Sequence, residues 1–104
     1  MTPPNLQYVS AEELRKLFNE NRYDQLVNPH AVLTEKLIRE GKAAPDSGQQ
    51  PGTRSQVIAY LDGNGKQVAI VHQYVRPDGT LGGSGRPDPK KLLHNGVLYV
   101  LQDP

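Results

Sequence analysis

The dipeptide Asn95-Gly96 constrains this chain more than any other feature. A two-residue hairpin turn of type I′ needs positive φ at both central positions, and Asn-Gly is the pair that accepts it most readily. On either side lie Lys91-Leu92-Leu93-His94 and Val97-Leu98-Tyr99-Val100-Leu101. A turn there pairs His94 with Val97, Leu93 with Leu98 and Leu92 with Tyr99, because loop length fixes the register of a hairpin. The competing reading makes Asp88 the cap of a single helical turn through Leu93.

One hairpin is not stable alone in water, and a second lies upstream. Gln56 to Leu61 is rich in β-branched and aromatic residues, Asp62-Gly63-Asn64-Gly65 is a strong turn, and Val68 to Val75 resumes the strand pattern. Along that last strand Val68, Ile70, His72 and Tyr74 share one side, and Ala69, Val71, Gln73 and Val75 the other.

The N-terminal half reads differently. Residues 1–9 form an extended lead-in with two prolines. Ser10 with Glu13 makes a capping box, followed by an apolar stripe of Leu14, Leu17 and Phe18 on a helix ending near Asn21. Tyr23, Leu26 and Val27 continue it or form a short connector. Asn28-Pro29 is a second helix start, His30 is a first-turn residue, and Leu33, Leu37 and Ile38 share a face across His30 to Glu40. Glu35 and Arg39 make an i, i+4 pair there, and Gly41 stops the helix. The stretch 42–55, rich in Ala, Pro, Gly, Gln and Ser, reads as a mobile connector. The expected architecture is a single α+β domain over 1–104, with two N-terminal helices packed on a mainly antiparallel four-stranded sheet.

The segment Pro77 to Pro89 holds four glycines and three prolines, which excludes a helix or a central strand and leaves a long loop. Loops longer than about 12 residues tend to carry function or to be disordered. Net charge is only +1, yet Lys66 to His94 carries Lys66, Arg76, Arg86, Lys90 and Lys91 against Asp78 and Asp88. A local basic excess points to an anionic partner. Arg76, Arg86 and Lys90, with the backbone of Gly83, Ser84 and Gly85, are the candidate phosphate contacts, since glycine lets backbone N–H groups approach an anion. Pro-Asp-Gly after Arg76 is equally a common architectural turn.

Phosphodiester cleavage without metal needs a base, an acid and cations, and His72 and His94 are the candidate catalytic pair. His72 is also in phase with an apolar stripe, as a packed residue would be. No pairing of Asp78, Asp88, His72 and His94 has recognised metal-ligand spacing, so neither metal nor cofactor is expected. Ser84 lacks the second glycine of a nucleophile elbow. Tyr60, Tyr74 and Tyr99 could stack on bases if exposed, although core packing is the simpler fate for at least two.

The absence of cysteine removes disulfides and thiol chemistry and suits a reducing compartment. With no long apolar run and no leader at Met1, the expectation is a cytoplasmic protein without membrane contact. The function expected is binding of a phosphate-bearing partner, RNA before DNA, compatible with cleavage in the manner of a metal-independent toxin-type ribonuclease. The alternatives are a non-enzymatic protein-interaction module and a subunit of an assembly. These residues leave the question of enzyme or not, and the oligomeric state, undecided.

Overall fold

The computed structural model describes residues 5–27 and 32–102. Its elements run β1 (Asn5–Val9), α1 (Ala11–Glu20), a 3-10 turn (Tyr23–Val27), β2 (Thr34–Lys42), β3 (Arg54–Leu61), β4 (Gln67–Val75), β5 (Asp88–His94) and β6 (Val97–Leu101). All six strands form one sheet in the order β1-β6-β5-β4-β3-β2. β1 runs parallel to β6, and every other neighbour pair is antiparallel. A six-stranded mixed sheet with one α-helix therefore replaces the expected two helices on four strands.

The correction falls on two segments. The lead-in holds β1, which pairs along β6 from Asn5–Val97 to Val9–Leu101. The expected second helix is instead β2, paired with β3 from Thr34–Leu61 to Lys42–Arg54 with a bulge between Leu37 and Arg39. Its start signal, Asn28-Pro29, and His30 lie outside the described residues. Helical spacing of Leu33, Leu37 and Ile38 is a weak preference, worth tenths of a kcal/mol per residue. Pairing along β2 satisfies a whole row of N–H and C=O groups on β3 that would otherwise form an exposed edge. Leu33 is buried, but just ahead of the strand rather than on a helix.

The hairpin at the C-terminus has the expected register, His94–Val97, Leu93–Leu98 and Leu92–Tyr99. Its turn has φ of 50° at Asn95 and 79° at Gly96. β5 begins at Asp88, so the helical reading of Asp88 to Leu93 does not form. The Asp62 turn is closed by its own carboxylate, whose Oδ1 accepts the N–H groups of Asn64 and Lys66 at 2.9 Å each.

The core lies between α1 and one face of the sheet. Ser10 caps α1, its Oγ accepting the Glu13 N–H at 3.1 Å, and the 3.6-residue period then aims Leu14 and Phe18 at the sheet, both with no exposed surface. They meet Val9, Ile58, Tyr60, Ala69, Val71 and Leu92. Phe18 stacks on Tyr23 with ring centroids 5.9 Å apart and tilts against Tyr60 at 6.0 Å. Each large side chain so buried contributes about 1.5–3 kcal/mol.

Strand directions gather the β1–α1 junction, the β2–β3 loop (43–53) and the β4–β5 segment (76–87) at one end of the sheet. The tight turns at 62–66 and 95–96 lie at the other. Among the described residues no helix covers the face opposite α1, and none is long and apolar enough to cross a membrane.

Candidate functional site

Strand register assigns each side chain to a face. Residues opposite Ile58, Tyr60, Val71 and Leu92 point to α1, and their neighbours point to the open face. Across that open face run Lys36–Ala59–Ile70–Lys91–Val100–Tyr8 in one row and Arg39–Val57–His72–Asp88 in the next. Leu93, Leu98 and Leu6 extend the apolar ground toward β1.

Alternation along β2 separates its charges. Glu35 sits opposite Tyr60 and Glu40 opposite Gln56 on the helix side, while Lys36 and Arg39 sit opposite Ala59 and Val57 on the open side. Lys90, the extra residue of a bulge in β5, reaches Asp88 Oδ2 at 3.0 Å. The open face thus carries Lys36, Arg39, Lys90 and Lys91 against one carboxylate, Asp88, already held by Lys90. Tyr8 and Leu6 are exposed, and Tyr74 packs edge-on against His72 with ring centroids 4.7 Å apart.

The long segment after β4 proves to be two consecutive turns. Arg76 N–H donates to Thr80 O and Gly79 N–H to Arg76 O, both at 2.8 Å, and Leu81 bridges back to Val75. Gly82 N–H then donates to Tyr74 O at 2.8 Å and Gly85 N–H to Gly82 O at 3.1 Å. The Gly85 amide, expected to face an anion, is spent inside the segment, as are those of Gly79 and Gly82. Asp78 accepts from Thr80 N and Oγ1 at 3.0 and 2.6 Å. Those bonds, with the charge of Arg76 as a lesser cause, hold its carboxyl below the ordinary range.

The candidate phosphate residues accordingly disperse. Arg76 belongs to the first turn and Lys90 to an ion pair. Arg86, Gly83 and Ser84 line a cavity of about 350 Å³ together with Arg15 of α1, His72 and Asp88. Gly85 lies outside that lining, in a separate hollow with Tyr60 and Glu35. Arg15 gave no sequence signal, because only the topology carries the first half of α1 to this end of the sheet.

The two histidines do not share a site. His94 follows Leu92 on the helix side, where its Nδ1 is hydrogen-bonded to the Tyr23 hydroxyl at 2.5 Å and its ring meets Tyr23 edge-on. Burial pushes the Tyr23 hydroxyl up from its usual range. His72 is on the open face, its Nε2 hydrogen-bonded to Ser55 Oγ at 2.7 Å. Burial, then the positive charge of Lys90, lowers its pKa, partly offset by Asp88. His72 is therefore neutral at pH 7 and accepts from the Ser55 hydroxyl when Nδ1 carries the proton. Acid–base chemistry by two imidazoles on one phosphodiester does not fit this arrangement.

Of the three strand tyrosines, Tyr60 is buried and Tyr99 packs at the edge of the core, leaving Tyr74 on the open face. Tyr8, which the sequence reading left in an extended lead-in, joins it there through β1. Comparison with known proteins finds no family model, no curated protein and no solved structure that matches the chain.

Proposed function

We propose that this domain binds a single-stranded, phosphate-bearing polymer, RNA before DNA, across the open face of the sheet. The observation that carries the reading is the sorting of charge along β2 and β5, which puts cations on an uncovered sheet face that also displays Tyr8, Tyr74 and an apolar floor. Bases have π-faces that stack on such side chains while the backbone seeks Lys and Arg. The proposal stops at binding. Cleavage of the toxin type loses both its premises, since the helical arrangement behind the analogy is absent and the imidazoles lie on opposite sides.

A protein partner adding a strand to β2 is the competing reading, but the bulge between Leu37 and Arg39 and the flanking cations are the devices by which edges resist such pairing. Fluorescence anisotropy of a labelled single-stranded RNA of about 12 nucleotides, within the range such platforms cover, tests the proposal over a salt series. Binding that weakens with salt and is weaker and less salt-dependent in the Lys36→Glu/Arg39→Glu double variant supports it. Binding indifferent to salt, or no binding, removes it.

A further inference from the structure

A hollow lies away from the open face, inside the β2–β3 loop. It encloses about 530 Å³ and is lined by residues 42–45 and 49–54. That volume is within the range of small-molecule sites, about 300–1,000 Å³. We infer that it is a nucleotide subsite, taking a nucleobase against Pro45 and Pro51 and a phosphate at Lys42 and Arg54. The class of ligand rests on the polymer-binding reading; the existence of the site does not.

Thr53 is the first reason. The residue is buried, at 3 % exposure, and its backbone is fully engaged: Thr53 N–H donates to Gln50 O at 3.2 Å and Thr53 O accepts from Ala43 N–H at 3.1 Å. Its Oγ1 has no hydrogen-bond partner. A buried hydroxyl without a partner is destabilising, and valine would fill the same space without that cost. Thr53 lines the cavity, and a turn about χ1 that exchanges its enclosed hydroxyl with the methyl group lets an occupant supply the missing bond.

The second reason is electrostatic. Lys42 and Arg54 are direct cross-strand partners at the mouth of the loop, an arrangement of like charges that disfavours pairing. Glu40 relieves part of it through Arg54 Nε at 3.0 Å. Beside the Nε of that contact the guanidinium carries two further nitrogens, the fork that suits phosphate. Lys42 has no ion pair among the described residues.

Gln49 and Gln50 supply amides able to read the edge of a base. The wall is braced from behind by the β4–β5 segment. A Cβ on Gly82 would fall 2.2 Å from Gln49 Oε1, and one on Gly52 would fall 3.0 Å from Pro77 Cγ. Gly82 and Pro77, both on the segment after β4, thus support the neighbouring loop that holds the cavity.

The test uses the full chain and calorimetric titration with AMP, CMP, GMP and UMP in turn, with ribose 5-phosphate and inorganic phosphate as controls. At least one nucleotide is expected to bind at least tenfold more tightly than phosphate. Thr53→Val should weaken it about three- to tenfold, the equivalent of one hydrogen bond, while melting no earlier than the parent. Lys36→Glu/Arg39→Glu should leave nucleotide binding unchanged. Equal affinity for phosphate and nucleotide, or a Thr53→Val variant that binds like the parent, overturns the inference. If that happens while RNA still binds with its salt dependence, only this inference falls; if nucleotides bind and the longer RNA does not, only the sheet-face reading falls.

Discussion

Reversing Lys36 and Arg39 is the sharpest probe of the open face. Both are exposed, neither is in an ion pair among the described residues, and neither touches the core. Lys90 is held by Asp88, so the cations that the strands of this face offer a polyanion are Lys36, Arg39 and Lys91. For single strands each neutralised phosphate contributes about −0.7 to the slope of log affinity on log salt, so three give a slope of about −2. Raising salt from about 50 to 200 mM should then weaken parental binding roughly 20-fold. In Lys36→Glu/Arg39→Glu one cation remains, the slope falls to about −0.7, and the same change in salt costs only about threefold. Anisotropy titrations of one labelled RNA at four salt concentrations give both slopes. Unfolding by urea should show the variant within about 0.5 kcal/mol of the parent, as for surface changes generally. Equal slopes for the two proteins would refute the assignment of these cations to the phosphate backbone, whatever the absolute affinities.

Leu92, fully buried beneath α1, should cost about 2–5 kcal/mol when changed to alanine, a large share of the 5–15 kcal/mol typical of a domain; a urea midpoint within error of the parent would contradict its place in the core. Ser10→Ala removes the cap of α1 and should cost about 1 kcal/mol in the same assay. Gly52 and Gly82 should part company on substitution by alanine. Gly52 has φ of 87° and abuts a proline ring, so strain of about 1–3 kcal/mol is expected, whereas at Gly82 the nearest clash is the movable end of Gln49 and the loss should fall mainly on nucleotide affinity. The lowered pKa of His72 predicts that stability is full above its unfolded value of about 6.5 and is lost as pH falls through the folded value, because the unfolded chain binds the proton more readily. His72→Gln should flatten stability against pH in that window, and an unchanged pH profile would count against it.

What could be read in advance was what local chemistry decides. Asn95-Gly96 fixed a register that the pairing of Leu92 with Tyr99 reproduces, and Ser10 with Glu13 marked the start of α1. The four strands and two turns of the C-terminal half are local in the same sense. What was not legible depends on contacts distant in sequence. β1 has no signature of its own, since five residues pair in parallel with a strand more than ninety positions away, from Asn5 to Val97. β2 was misread because its residues satisfy two periods at once. Leu33 and Leu37 stand four apart as on a helix, yet Glu35, Lys36 and Leu37 alternate as on a strand, and only the unpaired edge of β3 decides between them.

That one misreading also displaced the candidate site. As a helix, residues 30–40 would set Glu35 beside Arg39 and neutralise it; as a strand the same residues send Glu35 and Glu40 to one face and Lys36 and Arg39 to the other. The basic excess visible in the sequence at Lys66 to His94 is then only half of the cationic surface, and its contribution to the strands of that face is Lys91, because Arg76 and Arg86 lie on the segment after β4 and Lys90 is in an ion pair. The other half comes from a stretch of nearly balanced composition, Thr34 to Lys42, which acquires its polarity only on joining the sheet. A charge count along the chain cannot find such a surface. The alternation of charge with a period of two can, and in β2 it is present from Glu35 to Glu40, interrupted by the apolar pair at the bulge.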